Sequence, residues 1–172
     1  MKWVKELFGK SVASSRSAMG RKLGSQDEAL ESIFDVMVDE NVSRGEAVEK
    51  LTGGANLVDG KHTWEHATDG KHDIDLMKRC CEAELATYKI TGDLPAPFYF
   101  LRVAILSSKQ KKHQQEADYL QMFVDILCRE YARDDMPLEE AVKKRVLSST
   151  DCEIYDRLPK AKARLAKQKL ES

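Results

Sequence analysis

Apolar side chains recur at three- and four-residue intervals along most of this chain, and no convincing strand alternation appears anywhere. The pattern divides into successive amphipathic helices. Ser25 with Glu28 forms a capping box, and Leu30, Ile33, Phe34 and Met37 supply the stripe of a helix over about 26–39. A second box, Ser43 with Glu46, starts a shorter helix through Ala47, Val48 and Leu51 that Gly53 and Gly54 stop, and the two make a helical hairpin. Asp73 is the expected N-cap of a longer helix with the stripe Ile74, Met77, Cys81, Leu85 and Tyr88, ended by Gly92. From Pro97 the run FYFLRVAILSSKQKK is helical, with Leu101, Ala104, Ile105 and Ser108 on one face. After a polar break at 110–112, Ala117, Leu120, Phe123, Val124 and Leu127 mark the inner side of another helix, and Pro137 opens a further one, LEEAVKKRVL. The expected fold is all-α, a bundle of antiparallel helical hairpins.

The two ends differ from this middle. Residues 1–24 carry Lys2, Lys5, Lys10, Arg16, Arg21 and Lys22 against the single acid Glu6, with Trp3, Val4, Leu7 and Phe8 on one helical side. They read as a basic amphipathic helix and a Ser-rich tether. Trp3, Leu7 and Phe8 are candidate anchors, for an anionic membrane surface or for a partner's groove; the alternatives are a face packed on its own domain, or disorder. Residues 25–158 read as a single helical domain. A helical turn over 151–158 is expected to stop at Pro159, leaving 159–172 as a basic helix or tail that frays.

Charge narrows the function classes. Lys and Arg total 28 against 29 Asp and Glu, a formal net charge of −1, so the molecule as a whole exerts no strong field on nucleic acid or membrane. The basic tail lacks the interleaved aromatics that stack on single strands, and no nucleic-acid partner is expected. No apolar run reaches bilayer-spanning length, and the first residues lack a secretory apolar block, so the expected location is cytoplasmic. Cys80, Cys81, Cys128 and Cys152 form no C-x-x-C pair and read as reduced, mostly buried thiols.

Residues 73–131 resemble the tetratricopeptide-like class of helical repeats. The residues that carry the resemblance are LPAPFYFLRVAILSSKQKKHQQEADYLQMF: prolines before an antiparallel helix pair, a turn near Lys111 and His113, Ala104 where the helices approach, and Phe98, Tyr99 and Phe123 as knobs. Two departures stand out: Ile105 and Ser108 replace the Gly-plus-aromatic signature, and Ala117 does not fall at the consensus distance from Ala104. No second copy at the expected period is evident, so one unit at most is implied. The resemblance implies a concave face that grips a peptide or protein, with Tyr99, Arg102 and Lys109 pointing into it. The alternative is that these are ordinary amphipathic surface residues.

The stretch DGKHTWEHATDGKH at 59–72 holds the remaining candidate chemistry. His62 and His66 are four apart and His72 follows, donors that suit zinc, nickel or iron. The zincin signature, however, needs Glu directly after its first His, where Thr63 stands. The two Asp-Gly pairs are turn signals in their own right, flanking a short helical WEHAT with Trp64 plugging the core. Pairing Cys80 or Cys81 with His72 as nucleophile and base rests on no spacing that would bring them together. The reading is therefore a non-enzymatic helical adaptor for a protein or peptide partner, pointing to no cofactor. The rival is a metal-dependent hydrolase or metal-binding protein using His62, His66 and His72.

Overall fold

The structure, a computed structural model, describes residues 26–133, 136–144 and 146–171. Among them are seven α-helices: α1 (Gln26–Glu40), α2 (Arg44–Thr52), α3 (Ile74–Thr91), α4 (Pro97–Lys109), α5 (His113–Arg133), α6 (Leu138–Lys143) and α7 (Ser149–Glu171). The fold is all-α. The only strands among the described residues are β1 (Leu57–Val58) and β2 (Lys61–His62), an antiparallel pair with Leu57 opposite His62. Asp59 and Gly60 join them with both φ angles positive, +52° and +72°, the mirror-image turn that matches strand twist. The chain reverses here because glycine enters this region without a Cβ clash and aspartate tolerates it.

Local signals set most helix ends. At α2 the Ser43 N–H donates to Glu46 Oε2 at 2.8 Å, and Gly53 closes the helix in the left-handed conformation. Asp73 Oδ1 accepts the N–H groups of Asp75 and Leu76 at the start of α3. A box absent from the sequence reading starts α7, with the Ser148 N–H donating to Asp151 Oδ2 at 3.0 Å.

The helix α4 is the centre of the molecule, lying against α3, α5 and α7. Phe100, Val103 and Ala104 are fully buried on it, and the Phe100 ring meets Phe123 of α5 at 5.2 Å. Met77 and Cys80 from α3, Leu120 and Leu127 from α5, and Ile154 and Ala161 from α7 complete this core. A second, smaller cluster of Ile33, Ala47, Val48 and Ile90 joins the α1–α2 hairpin to the end of α3. Arg44 and Asp93 reinforce that junction at 2.6 Å.

The tail corrects the sequence reading. Instead of stopping at Pro159, α7 runs through it to Glu171. An interior proline forfeits one backbone hydrogen bond and crowds the preceding turn, costing roughly 3 kcal/mol in a free helix. Here Pro159 is on the exposed side, where the orphaned carbonyl can be hydrated, while Leu158 and Ala161 are buried and Leu165 packs beside them. Tertiary contact therefore holds a segment that would fray alone.

Candidate interaction surface

The α1 helix, QDEALESIFDVMVDE, carries more apolar surface than its hairpin covers. Ile33 is 2% exposed, and Val36 and Met37 pack with it against the Ala47 and Val48 side of α2. Successive residues turn 100° around a helix, so Leu30, Phe34 and Val38 form a second stripe beside the first, each one turn beyond the last. They are 48%, 64% and 60% exposed. Glu31 and Asp35 follow the first two toward solvent, and both are exposed. The helix contains six acidic residues and no lysine or arginine. An apolar ridge bordered by negative charge is the result. The hairpin supporting it is held by the Lys50–Glu40 ion pair and by the Val42 N–H donating to the Met37 carbonyl.

The residues expected to line a groove on the central helices do not converge. Tyr99 lies in the core at 3% exposure, hydrogen-bonded to the Thr63 side chain. Burial holds its phenol above the usual pKa, and the nearby Glu84 carboxylate adds to the shift, against the Thr63 bond. The Thr63 hydroxyl donates to Glu84 Oε1 at 2.5 Å, and Glu84 Oε2 accepts the Ala96 N–H at 2.9 Å. Tyr99 thus belongs to a polar seam tying the loop, α3 and the start of α4 together. Arg102 donates from Nε and Nη2 to the Lys71 carbonyl at 3.0 and 2.6 Å, latching the loop onto α4. Lys109 is exposed in the last turn of α4. The physical reason is that α4 is covered on three sides, so Tyr99 and Arg102, which the resemblance places on an open face, meet another element.

The histidines are likewise separate in role. The His66 Nε2 is 2.9 Å from the Val58 carbonyl, exposed His62 stacks near Trp64 with rings 6.4 Å apart, and His72 is exposed. Among the described residues, no three His, Cys, Asp or Glu side chains are grouped to hold a metal ion. Trp64 is 70% exposed and does not plug the core. Gly70, the second Asp-Gly pair's glycine, serves contact: a Cβ there would sit 2.5 Å from Leu76 Cδ2 and 2.8 Å from the His66 carbonyl. Trp3, Leu7 and Phe8 lie outside the described residues. Within those residues no helix is long and apolar enough to cross a membrane.

No known protein family, curated protein or solved structure matches the chain.

The sequence reading missed one cluster. Glu116 is fully buried in the first turn of α5, yet its carboxylate faces three bases. Arg164 Nη2 lies 2.5 Å from Oε1, Arg157 Nη1 at 3.9 Å, and His113 Nδ1 at 3.5 Å from Oε2. Both arginines come from α7, so the cluster ties the basic tail to the bundle. The available signal was that Glu116 stands four residues before Leu120, in line with the inward stripe.

Cys80 and Cys81 are buried free thiols. Burial pushes the Cys80 thiol up to about 11, Glu84 adding to the shift, and burial raises Cys81 further still. At neutral pH, maleimide is expected to label exposed Cys128 well before Cys80 and Cys81, which should react only in denaturant. Equal labelling rates in the native protein would show that the α3 face is open.

Proposed function

We propose that the protein is a non-enzymatic helical interaction module, and that its recognition surface is the outer face of α1. The single observation carrying this reading is the ridge of Leu30, Phe34 and Val38, exposed in line on an acidic helix whose other face is already buried. Contiguous apolar side chains on a surface are a liability unless something covers them. Their one-turn spacing suits the face of an amphipathic helix, and the acidic border selects one rich in lysine or arginine. The α4–α5 hairpin, read as tetratricopeptide-like, then supplies a scaffold, with α3 and α7 covering the faces a lone hairpin leaves bare. A protein or peptide partner remains the reading, with α1 in place of the Tyr99, Arg102 and Lys109 surface.

A labelled synthetic helix with leucine at every fourth position and lysine between tests it. Saturable binding is expected, weakening as salt screens the charges. Phe34→Ala should weaken it roughly tenfold, since an aromatic anchor commonly contributes more than 1 kcal/mol. A glutamate version of the peptide should not bind. Indifference to Phe34→Ala, or to the sign of the peptide's charge, would sink the reading.

A further inference from the structure

We infer that the chain supplies its own occupant for this surface: residues 1–10 dock on the α1 ridge in cis and restrict access to other partners. This inference rests on the interaction-module reading above and goes on to name the competitor.

Three observations converge on this segment. First, the charges complement. The helix α1 holds Asp27, Glu28, Glu31, Asp35, Asp39 and Glu40 and no lysine or arginine, with Glu40 paired to Lys50 of α2, while 1–10 holds Lys2, Lys5 and Lys10 against Glu6. The same arithmetic disfavours a second copy of α1 as the occupant, because pairing α1 with itself brings six acids against six. Second, the spacings match. Trp3 and Leu7, like Val4 and Phe8, are four apart, the interval that separates Leu30 from Phe34 and Phe34 from Val38. Two helices with apolar residues at that interval can interleave them. Third, the geometry permits it. The 15 residues of 11–25 can extend roughly 50 Å, and α1 is only about 22 Å long, so the segment can double back along it. A tether this short gives roughly millimolar effective concentration, enough to make a modest contact prevail over dilute competitors.

The consequence is a self-regulated surface. A partner helix must displace 1–10, and anything that draws Trp3, Leu7 and Phe8 away opens α1.

Tryptophan emission of the full chain reads this directly. The chain has two tryptophans, so Trp64→Phe leaves Trp3 as the only reporter. Trp3 emission is expected at short wavelength and shielded from acrylamide, independent of protein concentration. It should move to the exposed position with either Phe34→Ala or Val38→Ala, each checked for unchanged helicity. Separately, the combined Trp3→Ser, Leu7→Ser and Phe8→Ser variant should bind the lysine peptide on the order of tenfold more tightly than the parent. Exposed emission in the parent, or emission unmoved by both α1 substitutions, overturns the inference. So does a shift that grows with protein concentration, which would make a second copy the donor of the segment, or one seen only with anionic vesicles, which would make it a membrane anchor. Peptide binding by the triple-serine variant keeps the interaction-module reading even if the cis contact fails. Loss of binding there refutes both.

Discussion

Replacing Phe100 with alanine is expected to lower the unfolding free energy by about 3–5 kcal/mol. Phe100 has no exposed surface and sits at mid-bundle, where α4 meets α5 through the tilted contact with Phe123. Its neighbours Val103 and Ala104 are also fully buried on a helix held on three sides. The walls therefore cannot collapse into the void, and most of the cavity penalty adds to the lost transfer energy. A domain of this kind is stable by roughly 5–15 kcal/mol, so the variant forfeits a large share of its margin. Urea titration followed by circular dichroism measures it. Phe34→Ala is the internal control: on the exposed face of α1 it should cost within about 0.5 kcal/mol. Equal costs at the two positions would mean that the core is not centred on α4.

Arg164→Ala should cost roughly 2–3 kcal/mol, somewhat below the loss from breaking a fully enclosed pair because the arginine is 40% exposed. The charge it leaves behind is the fully buried Glu116, whose remaining bases are more distant, Arg157 at 3.9 Å and His113 at 3.5 Å. Glu116→Gln should cost less than Arg164→Ala. The neutral amide needs no counter-charge, and the released guanidinium can turn to water. An ionic tie differs from simple contact in the coupling: contact alone would leave the Arg164→Ala loss the same whether position 116 is Glu or Gln, whereas an ionic tie makes that loss much smaller in the Gln background. A double-mutant cycle in urea, together with limited proteolysis across 160–171, gives the coupling. A coupling near zero would remove Glu116 as the fastener of the tail.

The parts of the fold legible in sequence are those decided within a few residues. Ser43 with Glu46, Asp73, Pro97, Gly53 and Gly92 each act on the adjacent turn, and each helix boundary they indicate is found. The misread residues depend on what arrives from elsewhere in the chain. The tetratricopeptide resemblance implies an outward Tyr99, but Thr63, 36 positions earlier, meets it in the core. Pro159 breaks an isolated helix, whereas this helix packs on α5, with Leu158 and Ala161 in the core on either side of the proline. Trp64 looked like a core residue by its size, yet its short 3₁₀ turn, Thr63–His66, turns the ring outward. The α1 surface was half legible. Leu30 and Phe34 were read in one stripe with Ile33 and Met37, and only the placement of α2 divides that stripe into a covered and an uncovered side.

The division of buried side chains into a large cluster around α4 and a small one beneath α1 and α2 bears on motion. With the small Ile33, Ala47, Val48 and Ile90 cluster and the Arg44–Asp93 pair at its junction, the first hairpin can part from the bundle at lower free energy than the rest can unfold. Its outer ridge thus sits on the region most able to adjust its angle to an incoming helix. The α4 layer stays shut while it does so.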